Sequence, residues 1–332
     1  MTPFTFVGET LDDLLRDAIE AIRSKGDRIV ASKGSNTELR AVTLELTNPL
    51  ARISRTETRG LPFSALGELC WYLSKTNELA FIRYYIREYM NFADGDIIFG
   101  GYGPRLFNMR GINQIRNVID LLTRKPTTRQ AVAQLFNAED IVEEHKDVPC
   151  TCALQFMVRD DALELITHMR SNDAYWGLPH DIFCFTMIQE IVARALGRPL
   201  GVYRHMVGSL HLYDRHDDGA DQFLAEGWQS TKHTMPDMPS GDPAPAIDVL
   251  LAAESGLRLT GHVTQSELQL DPYWHDLVRL LQIFRCVKDK NPEGIQQLRD
   301  EMSTDVYDTF IERKLTRIGE AKLRDTSMPP QE

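Results

Sequence analysis

The stretch DVPCTCALQF, residues 147–156, carries the strongest structural signal in this chain of 332 residues. From Ala153 onward it is an apolar run typical of a buried strand. Pro149 cannot donate to a strand ladder, so we expect the thiol of Cys150 at a strand end or in a loop. A thiol there is a candidate nucleophile, because the thiolate is the attacking form. A buried, inert cysteine is the alternative interpretation.

A polar segment, RSNDAYWGLPHD at residues 170–181, follows on the carboxyl side. The guanidinium of Arg170 and the hydroxyl of Ser171 supply the kind of donors that bind phosphate oxygens. An arginine close to Cys150 would also help to lower the pKa of that thiol. A nucleophile beside an anion site indicates nucleotide chemistry, whereas an isolated, solvated arginine is the alternative interpretation.

A third polar group interrupts the apolar stretch GSLHLY, residues 208–213. The two-residue period of a strand places His211 and Tyr213 on one face, where they suit a sugar hydroxyl, although packed core residues are the alternative. Cys150 and Cys152 with His145 could suggest a metal site. Their spacing lacks both the usual gap of two to four residues and a second ligand pair, so we expect no metal.

Composition restricts the class of protein. With 42% hydrophobic and 26% charged residues, the chain can bury a large core. A net charge of −11 disfavours nucleic acid polymers and anionic membranes as partners, but it allows a small anion in a local basic pocket. Neither a signal peptide at Met1–Asp13 nor a membrane-spanning run is predicted, and five scattered cysteines suit reduced thiols. We expect a cytoplasmic protein.

Hydrophobic periodicity predicts an α/β chain with strands and helices interspersed. Helices are predicted near 11–22, after Pro62, and over 82–89, 112–122, 182–196 and most of 247–319. Strands are predicted near 42–46, 131–136, 153–158, 162–169 and 202–213, with a hairpin turn at 159–161 and a loop over 32–39.

In order and spacing, these motifs resemble the thymidylate synthase superfamily. The motifs that carry the resemblance are PC at 149–150, QF at 155–156, RS-x-D at 170–173, GLP at 177–179, G-x-x-H-x-Y at 208–213 and His216. Weaker matches are ELCWYL at 68–73, YG at 102–103 and KPTTR at 125–129. The resemblance implies a large twisted mixed sheet flanked by helices, with two sheets stacked back to back in a homodimer. It also implies one domain over 1–332, with a helical segment at 1–31 and a mainly helical extension from about 246.

One departure from the family pattern concerns the base. Thymidylate synthases carry asparagine two residues after the GLP proline, where this chain carries Asp181. An amide can match both O4 and N3–H of uracil, whereas a carboxylate only accepts and suits the N4 amino group of cytosine. The cytidylate hydroxymethylases of the superfamily share this aspartate, so the resemblance implies a CMP 5-hydroxymethylase. A dCMP hydroxymethylase, a methylating thymidylate synthase and a non-catalytic nucleotide-binding protein are the alternatives, and intact Cys150 and Arg170 disfavour the last.

The resemblance also implies residue roles. Cys150 adds to C6 of the pyrimidine, 5,10-methylenetetrahydrofolate is the one-carbon co-substrate, and water completes the hydroxymethyl group. Glu68 and Tyr102 assist in ordering water and transferring protons, and Asp173 supports the base and folate. The implied nucleotide contacts are Arg170, Ser171 and Lys33 to phosphate, Arg129 to the phosphate of the partner subunit, Asp181 to the base, and His211 and Tyr213 to ribose. Thr151, His180 and Gln130 depart from the family pattern.

Overall fold

The computed structural model describes residues 4–31, 33–56, 61–263 and 270–327. Backbone contacts divide the chain into two compact units, Met1–Pro243 and Ala244–Glu332. All of the sequence motifs above lie in the first unit. The prediction of one domain over 1–332 stays a prediction.

A mixed sheet forms the centre of the first unit. Its strands are β1 (Phe4–Gly8), β2 (Asp27–Ala31), β3 (Gly34–Leu46), β4 (Val132–Gln134), β5 (Thr151–Arg159), β6 (Ala162–Asp173) and β7 (Leu200–Tyr213). Their order is β1-β3-β7-β6-β5-β4, with β2 also paired to β3. The pairs β1–β3 and β6–β7 are parallel, and the other pairs are antiparallel. The predicted large mixed sheet is confirmed.

Strand directions bring the sequence motifs to one edge of this sheet. The amino end of β5 lies beside the carboxyl end of β6, with Thr151 opposite Met169. The carboxyl ends of β6 and β7 are in parallel register, with Asp173 opposite His211. The amino end of β3 joins the same edge, because it runs antiparallel to β7. Residues distant in sequence therefore converge at this edge.

Helices flank the sheet in the same unit. They are α1 (Leu11–Lys25), α2 (Leu61–Leu73), α3 (Leu79–Tyr85), α4 (Tyr102–Phe107), α5 (Gln114–Arg124), α6 (Gly177–Ala195) and α7 (Asp217–Ala225), with a 3₁₀ helix at Arg87–Phe92. Helix α1 begins with a capping box in which Thr10 and Asp13 satisfy each other's backbone N–H groups. Helix α6 is buried along most of its length, packs on β6 and contacts α2.

The second unit is helical where it is described. Its helices are α8 (Ala244–Leu259), α9 (Pro272–Lys288), α10 (Pro292–Asp300) and α11 (Asp308–Ser327). Asp271 caps α9, and proline at the first position of that helix needs no amide partner. Residues 264–269, within the segment predicted as mainly helical, lie outside the described residues. No helix in the described parts of either unit is long and apolar enough to cross a membrane.

Two local predictions were wrong. The loop predicted over 32–39 is mostly strand, because β3 starts at Gly34 and pairs with both β2 and β7; Ser32 lies outside the described residues. The segment 1–31 holds β1 and β2 as well as α1, and residues 1–3 are not described. By contrast, the hairpin between β5 and β6 is confirmed, with Asp160 and Asp161 at φ of 48° and 65°.

Candidate active site

The segment before β5 holds the candidate nucleophile against β6. The backbone N–H of Arg170 donates to the carbonyl of Cys150 at 2.9 Å. The Arg170 side chain donates from Nε to the Pro149 carbonyl at 2.9 Å and from Nη2 to the Val148 carbonyl at 2.8 Å. Because a guanidinium carries five N–H donors, the three that remain can bind an anion. The predicted proximity of Arg170 and Cys150 is therefore observed, and Arg170 also shapes the segment.

The electrostatic environment of Cys150 differs from the expectation. Burial raises the pKa of the thiol from 9.0 to about 11; Arg170 and Lys33 act to lower it, while Asp147 and Asp181 raise it further. Desolvation thus outweighs the arginine that was expected to activate the thiol. The thiol is protonated at neutral pH before a nucleotide binds.

Tyr102, at the start of α4, contacts the residue after the nucleophile. The backbone N–H and the hydroxyl of Thr151 donate to the Tyr102 oxygen at 3.2 and 3.0 Å. The hydroxyl proton of Tyr102 is thereby left for another acceptor. Burial, with the nearby Asp181 and Cys150, raises the pKa of this phenol well above its usual value, so it stays a donor. The family departure at Thr151 thus has a structural role.

Glu68 lies on α2 and is buried, with 4% of its surface exposed. Its Oε1 accepts hydrogen bonds from Tyr72 at 3.0 Å and from Tyr89 at 2.5 Å. Burial and then Glu68 raise the pKa of both phenols well above their usual value. Sequence reasoning missed both tyrosines, although Tyr72 follows Glu68 at the i+4 spacing of one helix face. These contacts hold a carboxyl group beside two proton donors.

Asp181, in the first turns of α6, is half-buried. Its Oδ2 accepts a hydrogen bond from Nδ2 of Asn172 at 2.8 Å. Burial, followed by repulsion from Glu68, raises the pKa of Asp181 well above its usual value, and the Asn172 bond opposes this only in part. This environment therefore favours the protonated form of Asp181 over the carboxylate that was expected.

His180, the departure next to Asp181, is a bridging residue. Its Nε2 lies 2.9 Å from the hydroxyl of Ser64, and its Nδ1 lies 3.1 Å from the carbonyl of Trp176. It thereby links α2 to the start of α6. A phenylalanine could form neither hydrogen bond.

The carboxyl end of β7 holds the predicted ribose contacts. The rings of His211 and Tyr213 lie 4.8 Å apart, edge to face. Nδ1 of His211 is 3.4 Å from the Ser209 carbonyl, and burial lowers the pKa of the imidazole, which leaves Nε2 as an acceptor. The guanidinium of Arg215 lies 3.9 Å from the Tyr213 ring and donates to the Lys33 carbonyl at 3.1 Å. Arg215 was missed because an exposed arginine in a polar run carries no pattern of its own.

Asp173 at the end of β6 is ionised. Its Oδ1 accepts backbone hydrogen bonds from Tyr175 at 2.8 Å and Trp176 at 3.2 Å, and its Oδ2 lies 3.4 Å from Nδ1 of His216. Burial alone would raise the pKa of Asp173, but His216 and the backbone N–H of Tyr175 lower it below its usual range. Ser171 precedes it in register with Ser209.

The two remaining predicted phosphate contacts are Lys33 and Arg129. The ammonium of Lys33 is 4.5 Å from the Phe92 ring, on the turn before β3. Arg129 lies between α5 and β4, and its guanidinium is exposed with no hydrogen bond or ion pair to any described residue. The structure does not bring Arg129 to Cys150 of the same chain. Its predicted contact with a partner subunit stays a prediction.

Within the described ranges, no group of three or more His, Cys, Asp or Glu residues could hold a metal ion. His145 instead stacks on Phe99 with ring centres 3.5 Å apart, and its Nδ1 lies 3.3 Å from Asp94. The site thus combines a thiol, an arginine with three unused N–H donors, one acid whose pKa is raised and one carboxylate whose pKa is lowered. This set suits covalent addition of sulfur to an electron-poor ring.

Comparison with known proteins agrees with the motifs. A model of the thymidylate synthase family matches residues 11–240. The deoxyuridylate hydroxymethyltransferase of Bacillus phage SP01 is 32% identical over 226 residues, which cover 63% of this chain and 59% of that protein. The deoxyuridylate hydroxymethyltransferase of Delftia phage PhiW-14 is 25% identical over 240 residues, 68% of this chain and 66% of that protein. The chain thus spans less than two thirds of each relative. It belongs to the thymidylate synthase family.

Proposed function

We propose that this protein is a pyrimidine nucleotide 5-hydroxymethylase that acts on cytidine 5′-monophosphate. The observation that carries the choice of base is the hydrogen bond from Asn172 to Asp181, an acid whose raised pKa favours its protonated form. The names of the two phage relatives support the hydroxymethyl transfer. The thiol of Cys150 and the free donors of Arg170 support a covalently bound nucleoside monophosphate.

A neutral acid at position 181 matches both atoms that distinguish cytosine from uracil. Cytosine presents an acceptor at N3 and a donor at N4, and a carboxylic acid presents a donor and an acceptor. Uracil presents a donor at N3 and an acceptor at O4, so both atoms would face like partners as long as the acid keeps the same orientation. An unpaired polar group in a desolvated site costs on the order of 1–3 kcal/mol, and two such mismatches favour cytidylate strongly.

The same proton assists the covalent step. When the sulfur of Cys150 bonds to C6, the electrons of the C5=C6 bond move toward C5 and, by conjugation, toward N3. A hydrogen bond from Asp181 to N3 stabilises that charge, as positioned acids do in general. C5 thereby becomes a carbon nucleophile that bonds to the one-carbon unit of the folate co-substrate. Loss of tetrahydrofolate and of the C5 proton leaves an exocyclic methylene. Water adds to this methylene as the S–C6 bond breaks, and the restored ring carries a hydroxymethyl group.

The proposed co-substrate is 5,10-methylenetetrahydrofolate, which supplies a one-carbon unit at the oxidation level of formaldehyde. Its pterin is planar and carries ring N–H donors. The ionised Asp173 can accept from such donors, and the indole of Trp176, 40% exposed, offers a face on which a planar ring can stack. These two residues would hold the pterin, and they lie beside the nucleotide contacts of β6.

In this proposal, Glu68 positions the water that completes the hydroxymethyl group. With Tyr72 and Tyr89 donating to one oxygen, the carboxyl group is held in one orientation. It can then orient the water whose oxygen becomes the hydroxyl of the product. Tyr102, whose proton is free, is the donor on the Cys150 side.

Deoxyuridylate hydroxymethylation is the second candidate, because both relatives carry that name. A deoxycytidylate substrate is a further alternative, since His211 and Tyr213 can contact a 3′-hydroxyl in either sugar. Methylation instead of hydroxymethylation is the least favoured. A homodimer, in which the exposed Arg129 completes the partner's phosphate site, forms part of the proposal.

Incubation of the protein with methylenetetrahydrofolate and CMP, dCMP, UMP or dUMP tests these candidates. Mass spectrometry identifies the product, and absorbance detects dihydrofolate, which only methylation produces. We expect hydroxymethyl-CMP without dihydrofolate, and Asp181→Asn should shift preference toward uridylates by at least about tenfold, or ~1.4 kcal/mol. A wild-type preference for uridylate, or an unchanged preference in Asp181→Asn, would overturn the assignment of the base.

A further inference from the structure

A chain of buried polar side chains extends from Asp181 into the sheet. Nδ2 of Asn172 donates to Asp181 at 2.8 Å, and Oδ1 of Asn172 lies 2.9 Å from Nε2 of His205. Nδ1 of His205 lies 2.7 Å from the hydroxyl of Tyr203, which lies 3.1 Å from the hydroxyl of Thr167. Asn172 is 5% exposed, and the other three are fully buried. We call Asn172, His205, Tyr203 and Thr167 the buried relay.

The direction of the relay follows from its chemistry. Because the amide nitrogen of Asn172 donates to Asp181, its oxygen faces His205 and can only accept. Nε2 of His205 must then carry the ring proton. Burial lowers the pKa of His205 to about 3, so the imidazole is neutral and Nδ1 is an acceptor. Tyr203 therefore donates its one hydroxyl proton to Nδ1, and the Thr167 hydroxyl donates to the oxygen of Tyr203.

With His205 in this tautomer, the relay opposes a flip of the Asn172 amide. A flipped amide would place its N–H group against the N–H of His205, and a buried clash of two donors is costly. Gly177 leaves room for this arrangement, because an added Cβ there would lie 2.9 Å from Nδ2 of Asn172. Asn172 is also the one hydrogen-bond partner of the Asp181 carboxyl among the described residues. Oδ2 of Asp181 is thereby held as an acceptor, and its proton is confined to Oδ1.

We propose that His205 and Tyr203 are positioning residues that set how Asp181 reads the base, by fixing the Asn172 amide with its N–H toward Oδ2. The proton on Oδ1 then faces N3 of the pyrimidine, and Oδ2, with its second lone pair, accepts from N4. Without the relay, Asn172 can rotate, and the acid presents its donor and acceptor in either order. Discrimination between cytosine and uracil is then lost, although phosphate and ribose contacts persist.

Which base the wild type favours rests on the proposed function. The expected loss of discrimination in the variants does not. The measured quantity is the ratio of the dissociation constants for UMP and CMP, obtained by calorimetry without folate. The proposed function requires this ratio to exceed one in the wild type. The relay requires His205→Phe to move the ratio toward one, whichever base the wild type prefers.

The variants form a matched series. In His205→Phe the donor to Asn172 is lost, and the ratio should move toward one by at least about tenfold. His205→Gln restores an N–H donor and should recover most of the wild-type ratio. Tyr203→Phe keeps the ring but frees the tautomer of His205, and the ratio should move toward one by about threefold. Each expected change corresponds to about 1.4 kcal/mol per factor of ten.

Thr186→Val is the control, because Thr186 is a fully buried residue of α6 whose hydroxyl bonds only to the carbonyls of Ile182 and Phe183. It should lower the melting temperature and leave the ratio unchanged. If His205→Phe and Tyr203→Phe weaken both nucleotides equally, as this control does, the relay is structural and the proposal is wrong. If His205→Phe does not fold, Tyr203→Phe decides by the same ratio.

Discussion

The strand-end side and the helical side of the site shift the pKa of their acidic side chains in opposite directions. We use "sheet edge" for the strand-end residues Cys150, Arg170, Ser171, Asp173 and His211, and "helical wall" for Glu68, Tyr102 and Asp181. Asp173 lies against backbone N–H groups and His216, and its pKa is lowered. Asp181 lies against Asn172 and near Glu68, and its pKa is raised. One segment, residues 170–181, thus supplies two carboxyl groups whose pKa values are shifted in opposite directions.

This difference shows that residue type alone does not assign a catalytic role. The carboxylate at the sheet edge is stabilised by His216, which follows β7, and by a backbone N–H group of its own turn. The acid of the helical wall has no such cationic partner, and burial, followed by repulsion from Glu68, raises its pKa. Pairs of carboxyl groups with opposite protonation states are a common basis for acid–base catalysis.

Removing the sulfur of Cys150 from the sheet edge should have the greatest effect on activity. Cys150→Ser should lower product formation by at least ~10³-fold, because a serine hydroxyl there has no base to activate it. Single-turnover assays with mass spectrometry measure the loss. CMP binding, measured by calorimetry, should change by less than about threefold, since phosphate and base contacts persist. Retention of a tenth of the activity would exclude the covalent step.

The helical wall is tested by removing one charge without changing its shape. Glu68→Gln should lower kcat by ~10²-fold, because the water step loses its carboxyl group, with little effect on CMP affinity. Steady-state kinetics and calorimetry separate the two quantities. Glu139→Gln removes an exposed carboxylate that is paired with Arg110, and it is the matched control. An equal loss in both variants would assign the effect to net charge.

The alkylation rate of Cys150, the proposed nucleophile, tests the electrostatic environment of the sheet edge. With a pKa of about 11 against an ordinary 9.0, Cys150 should react with iodoacetamide at pH 8 about 100-fold more slowly than a free thiol. Peptide mass spectrometry follows this residue among the five cysteines. The alkylation rate should rise with pH toward 11, and Arg170→Gln should slow it, because Arg170 acts to lower the pKa.

The pH dependence of the free energy of unfolding follows from the same shift in the pKa of Cys150. The folded state binds the thiol proton more tightly than the unfolded chain does. The stabilisation of the fold by this proton is therefore complete below pH 9.0 and is lost as the pH rises toward about 11. Rapid alkylation at pH 8 would show that the thiol is not desolvated. In that case the sheet edge alone would activate its nucleophile.

Much of the sheet edge could be predicted from sequence because its residues lie in continuous motifs at strand ends. Strand period and register then place Arg170 beside Cys150 and Asp173 opposite His211. The helical wall could be predicted only in its residue types. The raised pKa of Asp181 depends on its burial and on how α2 packs on α6, which brings Glu68 near, and no local pattern encodes that packing.

The same argument explains the residues that were missed. Asn172 lies inside a recognised motif, but its partner His205 is on another strand, and the pairing requires the parallel register of β6 and β7. Tyr89 was within a predicted helix, yet it lies in the 3₁₀ helix that turns its hydroxyl toward Glu68. Contacts across elements are set by tertiary packing, which overrides local propensity.

The smallest expected effect concerns Arg215, the cation that sequence reasoning missed at the sheet edge. Its guanidinium over the Tyr213 ring and its bond to the Lys33 carbonyl join the end of β7 to the turn before β3. An exposed cation–π contact is worth about 0.5–1 kcal/mol, so Arg215→Gln should weaken CMP binding by about two- to fivefold. Arg28→Gln, which removes an exposed arginine paired with Asp214, should change affinity by less than about twofold. If both variants weaken binding equally, long-range charge accounts for the effect. If only Arg215→Gln does, the sheet edge depends on this contact to hold Tyr213, the proposed ribose contact.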